Sequence, residues 1–159
     1  MTGGIINNNK NIISALHKSY CDIKEVGKNG RNPSQGYNFR THEDITLAVK
    51  EVFKANGIIL IPKVLESKTT FTERESEYQG KKKIATIIYT EVHIEFTFYH
   101  TSGESLTAVG LGHGVDKGGD KSVYKAHTGA LKYVLTQMMG ITEGDDPESD
   151  NMTNSSAWG

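Results

Sequence analysis

The densest set of chemically useful residues lies in the stretch GLGHGVDKGGDKS, residues 110–122. Glycine and lysine hold phosphate groups in nucleotide-binding loops, but only at fixed spacings. A dinucleotide fingerprint starting at Gly110 needs a third glycine where Val115 stands, and a Walker loop starting at Gly114 needs a lysine where Asp120 stands. We therefore expect no nucleotide cofactor and interpret the stretch as a glycine-rich connection into a helix.

The helix predicted over residues 120–139 carries lysines along one side. At about 100° per residue, Lys125 and Lys132 lie within about 40° of Lys121, and Lys117 extends the line beyond the helix start. No Asp or Glu lies between Lys121 and Gln137, so these cations have no partner within the helix. A row of lysines without acidic partners is suited to binding a polyanion. The competing interpretation is that the lysines simply form the solvent-exposed face of the helix. The opposite side is predicted to pack on a sheet through Val123, His127, Ala130, Leu131, Val134 and Met138.

Two further segments combine charge with features of nucleic-acid sites. A lysine triplet occupies a predicted hairpin tip, with acids at 73, 75 and 77 close in sequence. The segment YNFR, residues 37–40, places two aromatic side chains beside an arginine, a combination that stacks bases and holds the backbone. Burial of these aromatics as a loop anchor is an equal alternative. With Tyr133, which follows Lys132, the additional candidate binding residues are Lys81, Lys82, Lys83, Tyr37, Phe39 and Arg40.

Catalytic groups are sparse. The six histidines show no paired metal-ligand spacing. Asp116 and Asp120, near His113, are the one set that could hold a metal, and Cys21 lies on a predicted helix with no base nearby. We therefore expect a protein that is not an enzyme, with no catalytic residue and no metal.

Composition favours one domain with polar ends. All 18 Lys and Arg precede residue 133, and five of the 19 acids follow residue 142, so the body carries +4 and the tail −5. We expect a flexible N-terminus at 1–10, one domain at 11–141 and an acidic disordered tail at 142–159. The single cysteine and the absence of an export signal or membrane-spanning segment favour a cytoplasmic location.

Periodicity predicts an α+β domain. Helical spacing marks residues 11–25 and 41–57, the second with a Thr41 cap. Strands are predicted at 58–66, 84–100 and 104–112, followed by the final helix. The central strand would extend about 55 Å, so it must bend, twist or project as a ribbon. Its predicted core face holds every second residue from Ile84 to Phe98.

The segments YNFRTHEDI and GHGVDKGGDKSVYKAHTGALKYVLTQMMGI, followed by DDP, resemble the Erf (essential recombination function) family of bacteriophage single-strand annealing proteins. The resemblance spans about residues 11–147, and Asp120 to Tyr133 is its most specific part. It implies a β-β-β-α core that binds single-stranded DNA and anneals complementary strands without ATP.

The same resemblance implies a homo-oligomeric ring or helical filament, with a single-strand binding protein as a candidate further partner. By position it places Arg40, Lys132 and Tyr133 in a basic groove. Two alternatives stay open. A double-stranded RNA binding module has a similar order of elements, and a metal-dependent nuclease would use Asp116 and Asp120.

Overall fold

The computed structural model describes residues 9–33 and 36–141. Within them the chain forms α1 (Lys10–Asp22), β1 (Gly30–Asn32), β2 (Tyr37–Phe39), α2 (His42–Ala55), β3 (Ile58–Tyr78), β4 (Lys81–His100), β5 (Ser105–Lys117) and α3 (Ser122–Met138). The three long strands form an antiparallel meander with β4 in the centre. This confirms the predicted α+β fold with a long central strand and a packed C-terminal helix. The predicted tail at 142–159 and all but the last two residues of the predicted N-terminus lie outside the described residues.

The start of α2 follows directly from its sequence. The Thr41 hydroxyl accepts the Asp44 N–H at 3.0 Å, and the Asp44 carboxylate accepts the Thr41 N–H at 2.8 Å, which completes a capping box. At the other end, Gly57 has a φ of 67°, a left-handed conformation that glycine adopts without strain. Both signals confirm the predicted second helix.

The described residues between α1 and α2 include a short pair of strands. We expected the first helix to reach residue 25, but α1 ends at Asp22, and a short antiparallel hairpin of β1 and β2 follows. One contact joins the two ends of this segment to each other, and a second connects it to α2. The Arg40 Nε donates to the Val26 carbonyl at 2.6 Å, and the Asn29 amide donates to the Asp44 carboxylate at 2.6 Å.

The core lies between the helices and one face of the sheet. Along β4, every second residue from Thr90 to Phe98 is buried, as the alternation predicted. Phe98 is fully buried and meets Phe53 of α2 edge to face, with ring centroids 5.9 Å apart. The predicted core face fails nearer the hairpin, where Ile84 is exposed.

The glycines at 110, 112 and 114 all belong to β5. The predicted strand at 104–112 already included the first two, whereas the assignment of Gly114 and the residues up to Lys117 to a connecting loop is wrong. All three face α3. A Cβ atom at Gly112 would lie 1.9 Å from the Ala126 carbonyl oxygen, and one at Gly114 would lie 1.9 Å from the Ser122 carbonyl oxygen. The glycines therefore allow the helix backbone to rest directly on the strand.

The same contact corrects the predicted packing face of α3. Ala130 and Val134 are buried as predicted, but Ser122 and Ala126 are buried as well, whereas Val123 is 40% exposed. Two residues along a strand span about 6.8 Å, and four residues along a helix span about 6.0 Å. Small residues spaced four apart in α3 therefore lie over glycines spaced two apart in β5. Close approach selects the small residues, and the larger Val123 lies to the side.

The β3–β4 hairpin is longer than predicted. β3 continues to Tyr78, so Glu73, Glu75 and Glu77 lie in a strand and not in a turn. The turn consists of Gln79 and Gly80, both with positive φ, as two-residue hairpin turns require. Pairing between β4 and β5 ends at Ile87, so residues 81–86 pair only with residues 73–78. We call these two segments the ribbon, and they extend the hairpin past β5, as the strand length suggested.

None of the helices in the described segments is both long enough and apolar enough to cross a membrane.

Candidate nucleic-acid interface

The connection between β5 and α3 gathers three of the predicted lysines around one carboxylate. Asp116 accepts the Lys121 backbone N–H at 2.9 Å, and this bond is the main reason that its pKa is lowered. The Lys125 Nζ donates to the Val115 carbonyl at 2.7 Å and to Asp116 at 3.3 Å. The acidic partner of Lys125 is thus Asp116 of β5, although the helix itself contains no acidic residue that could pair with this lysine. The side chains of Lys117 and Lys121 are exposed at this corner.

Lys132 lies apart from that corner. It is about 16 Å along the helix axis from Lys121 and is half-buried on the side that faces α2. The pKa of His42, in the first turn of α2, is lowered mainly by burial and secondly by the positive charge of Lys132. Tyr133 beside it is 52% exposed. The structure therefore separates the predicted lysine row into a corner group and a second position at the α2–α3 contact.

Arg40 is placed at a structural contact. Its side chain is buried at 8% exposure, and its Nε bonds the Val26 carbonyl. The backbones of Tyr37 and Phe39 form β2, while their side chains lie outside the described part. The structure thus gives Arg40 a role in holding the segment before α2.

A β-bulge in β3, before the ribbon begins, decides which way the charged side chains of the ribbon face. The register of β3 and β4 shifts between Val64 and Glu66, so Leu65 adds one residue to β3 alone. One extra residue moves every later side chain to the other face of the sheet. After the bulge, Glu73, Glu75 and Glu77 point to the side on which the helices pack.

The opposite side, which we call the open face, carries the bases of the ribbon. Lys83 lies opposite Ser76, Lys81 opposite Tyr78, and Arg74 opposite Ala85 on this face. Lys82 faces the other way, opposite Glu77. The acids that weakened the case for the lysine triplet are therefore on the other side of the sheet.

Lys117 connects the ribbon with the corner of α3. It is paired with Ile87, whose side chain lies on the open face, and it precedes Lys121 by four residues. From Tyr89 to the hairpin turn, the described side chains of the open face include no carboxylate. This surface holds Arg74, Lys81, Lys83 and Lys117, and we call it the basic face.

Arg74 is the residue that the sequence interpretation missed. It lies between Glu73 and Glu75, in a segment that we predicted to belong to the hairpin tip. The alternation of side chains along a strand could have identified it. Acids at 73, 75 and 77 in a strand must share one face, which leaves Arg74 on the other. Using that signal required knowing that β3 continues past residue 66.

The proposed metal site gains no support. Both oxygens of Asp116 accept hydrogen bonds from Lys121 or Lys125. Among the residues that the structure describes, no group of three or more His, Cys, Asp or Glu side chains is arranged to hold a metal ion.

The fold defines a class: a three-stranded antiparallel meander that carries a long basic hairpin and is closed by a C-terminal helix. Within that class, the chain belongs to the ERF superfamily, whose family model matches residues 12–157. The match includes almost the whole described domain and continues through most of the acidic tail. A comparison with curated proteins yields no match.

Proposed function

We propose that the protein binds single-stranded DNA and anneals complementary strands during phage recombination, without ATP and without making or breaking covalent bonds. The observation that supports this most is the basic face, where Arg74, Lys81, Lys83 and Lys117 lie on the side of the sheet away from the helices and none of the described side chains there is a carboxylate. Membership of the ERF superfamily supports the same assignment.

The physical basis is neutralisation of phosphates by exposed cations. Each neutralised phosphate on a single strand releases counterions and contributes about −0.7 to the slope of log affinity against log salt. This affinity does not depend on sequence, because phosphates are the same at every position. A strand held by its backbone leaves its bases able to test pairing with a second strand.

We further propose a homo-oligomer, as a ring or a helical filament, in the cytoplasm of a bacterial host, with a single-strand binding protein as a candidate partner. β3 supports the oligomer. It forms the edge of the three-stranded sheet along 21 residues, and an edge strand presents unpaired backbone groups that another chain can use. Light scattering at micromolar concentration tests this, and a strict monomer would contradict it.

The primary test is annealing of two complementary oligonucleotides, one fluorescent and one quenching, with the protein present and ATP absent. We expect annealing well above the spontaneous rate. Binding without acceleration, together with a preference for duplex RNA, would replace this proposal with the double-stranded RNA binding alternative.

A set of variants locates the interface. Replacing Arg74, Lys81 and Lys83 by alanine should reduce the magnitude of the single-strand salt slope by about 2, because three cations are lost. The matched control replaces Glu73, Glu75 and Glu77, which lie on the other side of the same ribbon, and should leave the slope unchanged or steeper. An unchanged slope in the first variant would remove the basic face from the proposal.

The corner group and Lys132 are tested separately. The triple change Lys121→Ala, Lys125→Ala and Lys132→Ala should also weaken single-strand binding with the fold retained. If only this variant changes the salt slope, α3 and not the ribbon holds the DNA.

A further inference from the structure

An aromatic pair lies on the open face of the sheet where the ribbon joins the three-stranded part. Tyr89 of β4 and His113 of β5 stack, with ring centroids 5.6 Å apart and ring planes 27° from parallel. The Tyr89 hydroxyl and the His113 Nδ1 are also hydrogen-bonded. The two rings therefore hold each other in a fixed orientation.

This pair is accessible because the helices cover the other face. Along β4 the side chains buried beneath the helices are those at 90, 92, 94, 96 and 98, so Tyr89 points the opposite way. Tyr89 is 37% exposed, and the His113 side chain is 54% exposed. On β5, Leu111 and Val115 flank His113 on the same face and are about half exposed. The result is a flat apolar area around two aligned rings.

The charges around the pair differ on its two sides. Toward the hairpin turn lies the basic face, which begins with Lys117 opposite Ile87. Away from the turn lies Glu91, whose carboxylate is 3.2 Å from the His93 Nε2 and 3.8 Å from the His113 Nδ1. A ligand that uses both the rings and the cations must therefore be aromatic and anionic together, and must extend from the pair toward the ribbon.

We propose that Tyr89 and His113 form a stacking site for an unpaired base of single-stranded nucleic acid whose phosphates lie along the basic face. This inference rests on the proposed function and adds a contact to the bases. A base has a π-face whatever its identity, so stacking gives affinity without sequence preference. Because the two rings are already stacked in the protein, adding a base requires no rearrangement of either ring.

A second copy of the chain is the competing occupant of this face. The cations argue against it, since an apolar contact between copies would have to desolvate Lys117 beside the pair, while the nearest described carboxylate of this face, Glu91, lies on the opposite side of the pair. A phosphate chain supplies the missing negative charge.

The test separates bases from phosphates. Affinity is measured for a thymine oligonucleotide and for an abasic oligonucleotide of the same length, which retains the phosphates and lacks the bases. We expect Tyr89→Ala to weaken binding of the thymine strand by about 5- to 150-fold, the range for loss of one base–aromatic stack, and to leave the abasic strand within about twofold. Tyr89→Phe retains the ring and should bind like the wild type.

Two further variants make the result specific. His113→Ala should reproduce the selective loss, and it keeps the test valid if Tyr89→Ala fails to fold. Tyr124→Ala is the control, because Tyr124 is 71% exposed on α3, on the helix side of the sheet, and should change neither affinity. Thermal unfolding and light scattering accompany every variant.

The failures are distinguishable. If the wild type binds neither strand, the proposed function itself is wrong. If the wild type binds both strands equally and loses both with the Arg74, Lys81 and Lys83 variant, the proposed function stands and the stacking site is overturned. Equal loss of both strands in Tyr89→Ala, together with a smaller particle in light scattering, would assign this face to a second copy.

Discussion

The two ends of β4 share one alternating pattern and have different surroundings. From Thr90 to Phe98 every second residue is buried, whereas on the same face Ile84 is 60% exposed. The reason is length: α3, with 17 residues, covers about 26 Å, while β4, with 20 residues, extends about 66 Å. Alternation therefore shows which residues share a face, and the reach of the helices decides which part of that face is buried.

The covered half of the sheet and the ribbon also use their residues differently. Beneath α3, glycines remove side chains so that two backbones can meet. In the ribbon, the side chains remain and a bulge separates most of them by charge, with the acids and Lys82 on the helix side and the other bases on the open face. The first region provides stability, and the second provides a charged surface.

The largest effect is expected when two phenylalanines on the helix side of the sheet are compared. Phe98→Ala should lower the free energy of unfolding by about 4 kcal/mol, because it removes a fully buried ring. Phe71→Ala should change it by less than about 0.5 kcal/mol, because that ring is 67% exposed. Urea denaturation measures both. A large loss from Phe71→Ala would mean that the helix side of the hairpin next to the ribbon is covered in solution.

The glycine contact can be disrupted with a single methyl group. Gly112→Ala should destabilise the protein by about 3 kcal/mol, because its Cβ would collide with the Ala126 carbonyl and separate α3 from β5. Gly27→Ala is the control, since the nearest atom to its Cβ would be 3.8 Å away and its φ is not positive. If the two variants unfold at the same denaturant concentration, the close approach of helix and strand is wrong.

A smaller effect is expected at the boundary between the regions. The Thr90 hydroxyl contacts Thr69 at 3.0 Å and the buried Ser122 hydroxyl at 2.9 Å. Thr90→Val should cost about 1–2 kcal/mol, because it leaves Ser122 without that partner. Thr72→Val, an exposed change further along the hairpin, should be close to neutral in the same denaturation experiment. Equal effects would remove the distinction between the covered half and the ribbon.

The smallest expected effect is a pH dependence of stability that comes from the start of α2 and does not involve the ribbon. Hydrogen bonds from Asn29 and then from Thr41 lower the pKa of Asp44 to about 2. A lowered carboxylate pKa stabilises the fold above the unfolded value of about 3.9, and this contribution disappears as the pH falls from there toward 2. The stability difference between wild type and Asp44→Asn should therefore shrink between pH 5 and pH 2.5. A difference that stays constant would contradict the capping box.

The sequence by itself determined the order of the main helices and strands, the Thr41 cap, the central strand and the family. The helices, strands and cap depend on local chemistry or periodicity, which neighbours along the chain already specify, and the family was indicated by the resemblance of two motif-bearing segments. The two short strands between the first helices carried too little periodicity to be recognised.

Only the tertiary structure decided what the glycines and charges do. The stretch that holds Gly112 and Gly114 resembled a glycine-rich connection in sequence, because nothing local reveals that a helix backbone will pack against these two residues. The faces of Arg74 and Lys83 depend on an extra residue at Leu65, and the partner of Lys125 comes from β5. These features arise between segments distant in sequence, and their physical cause is close packing and strand register, which only the assembled sheet establishes.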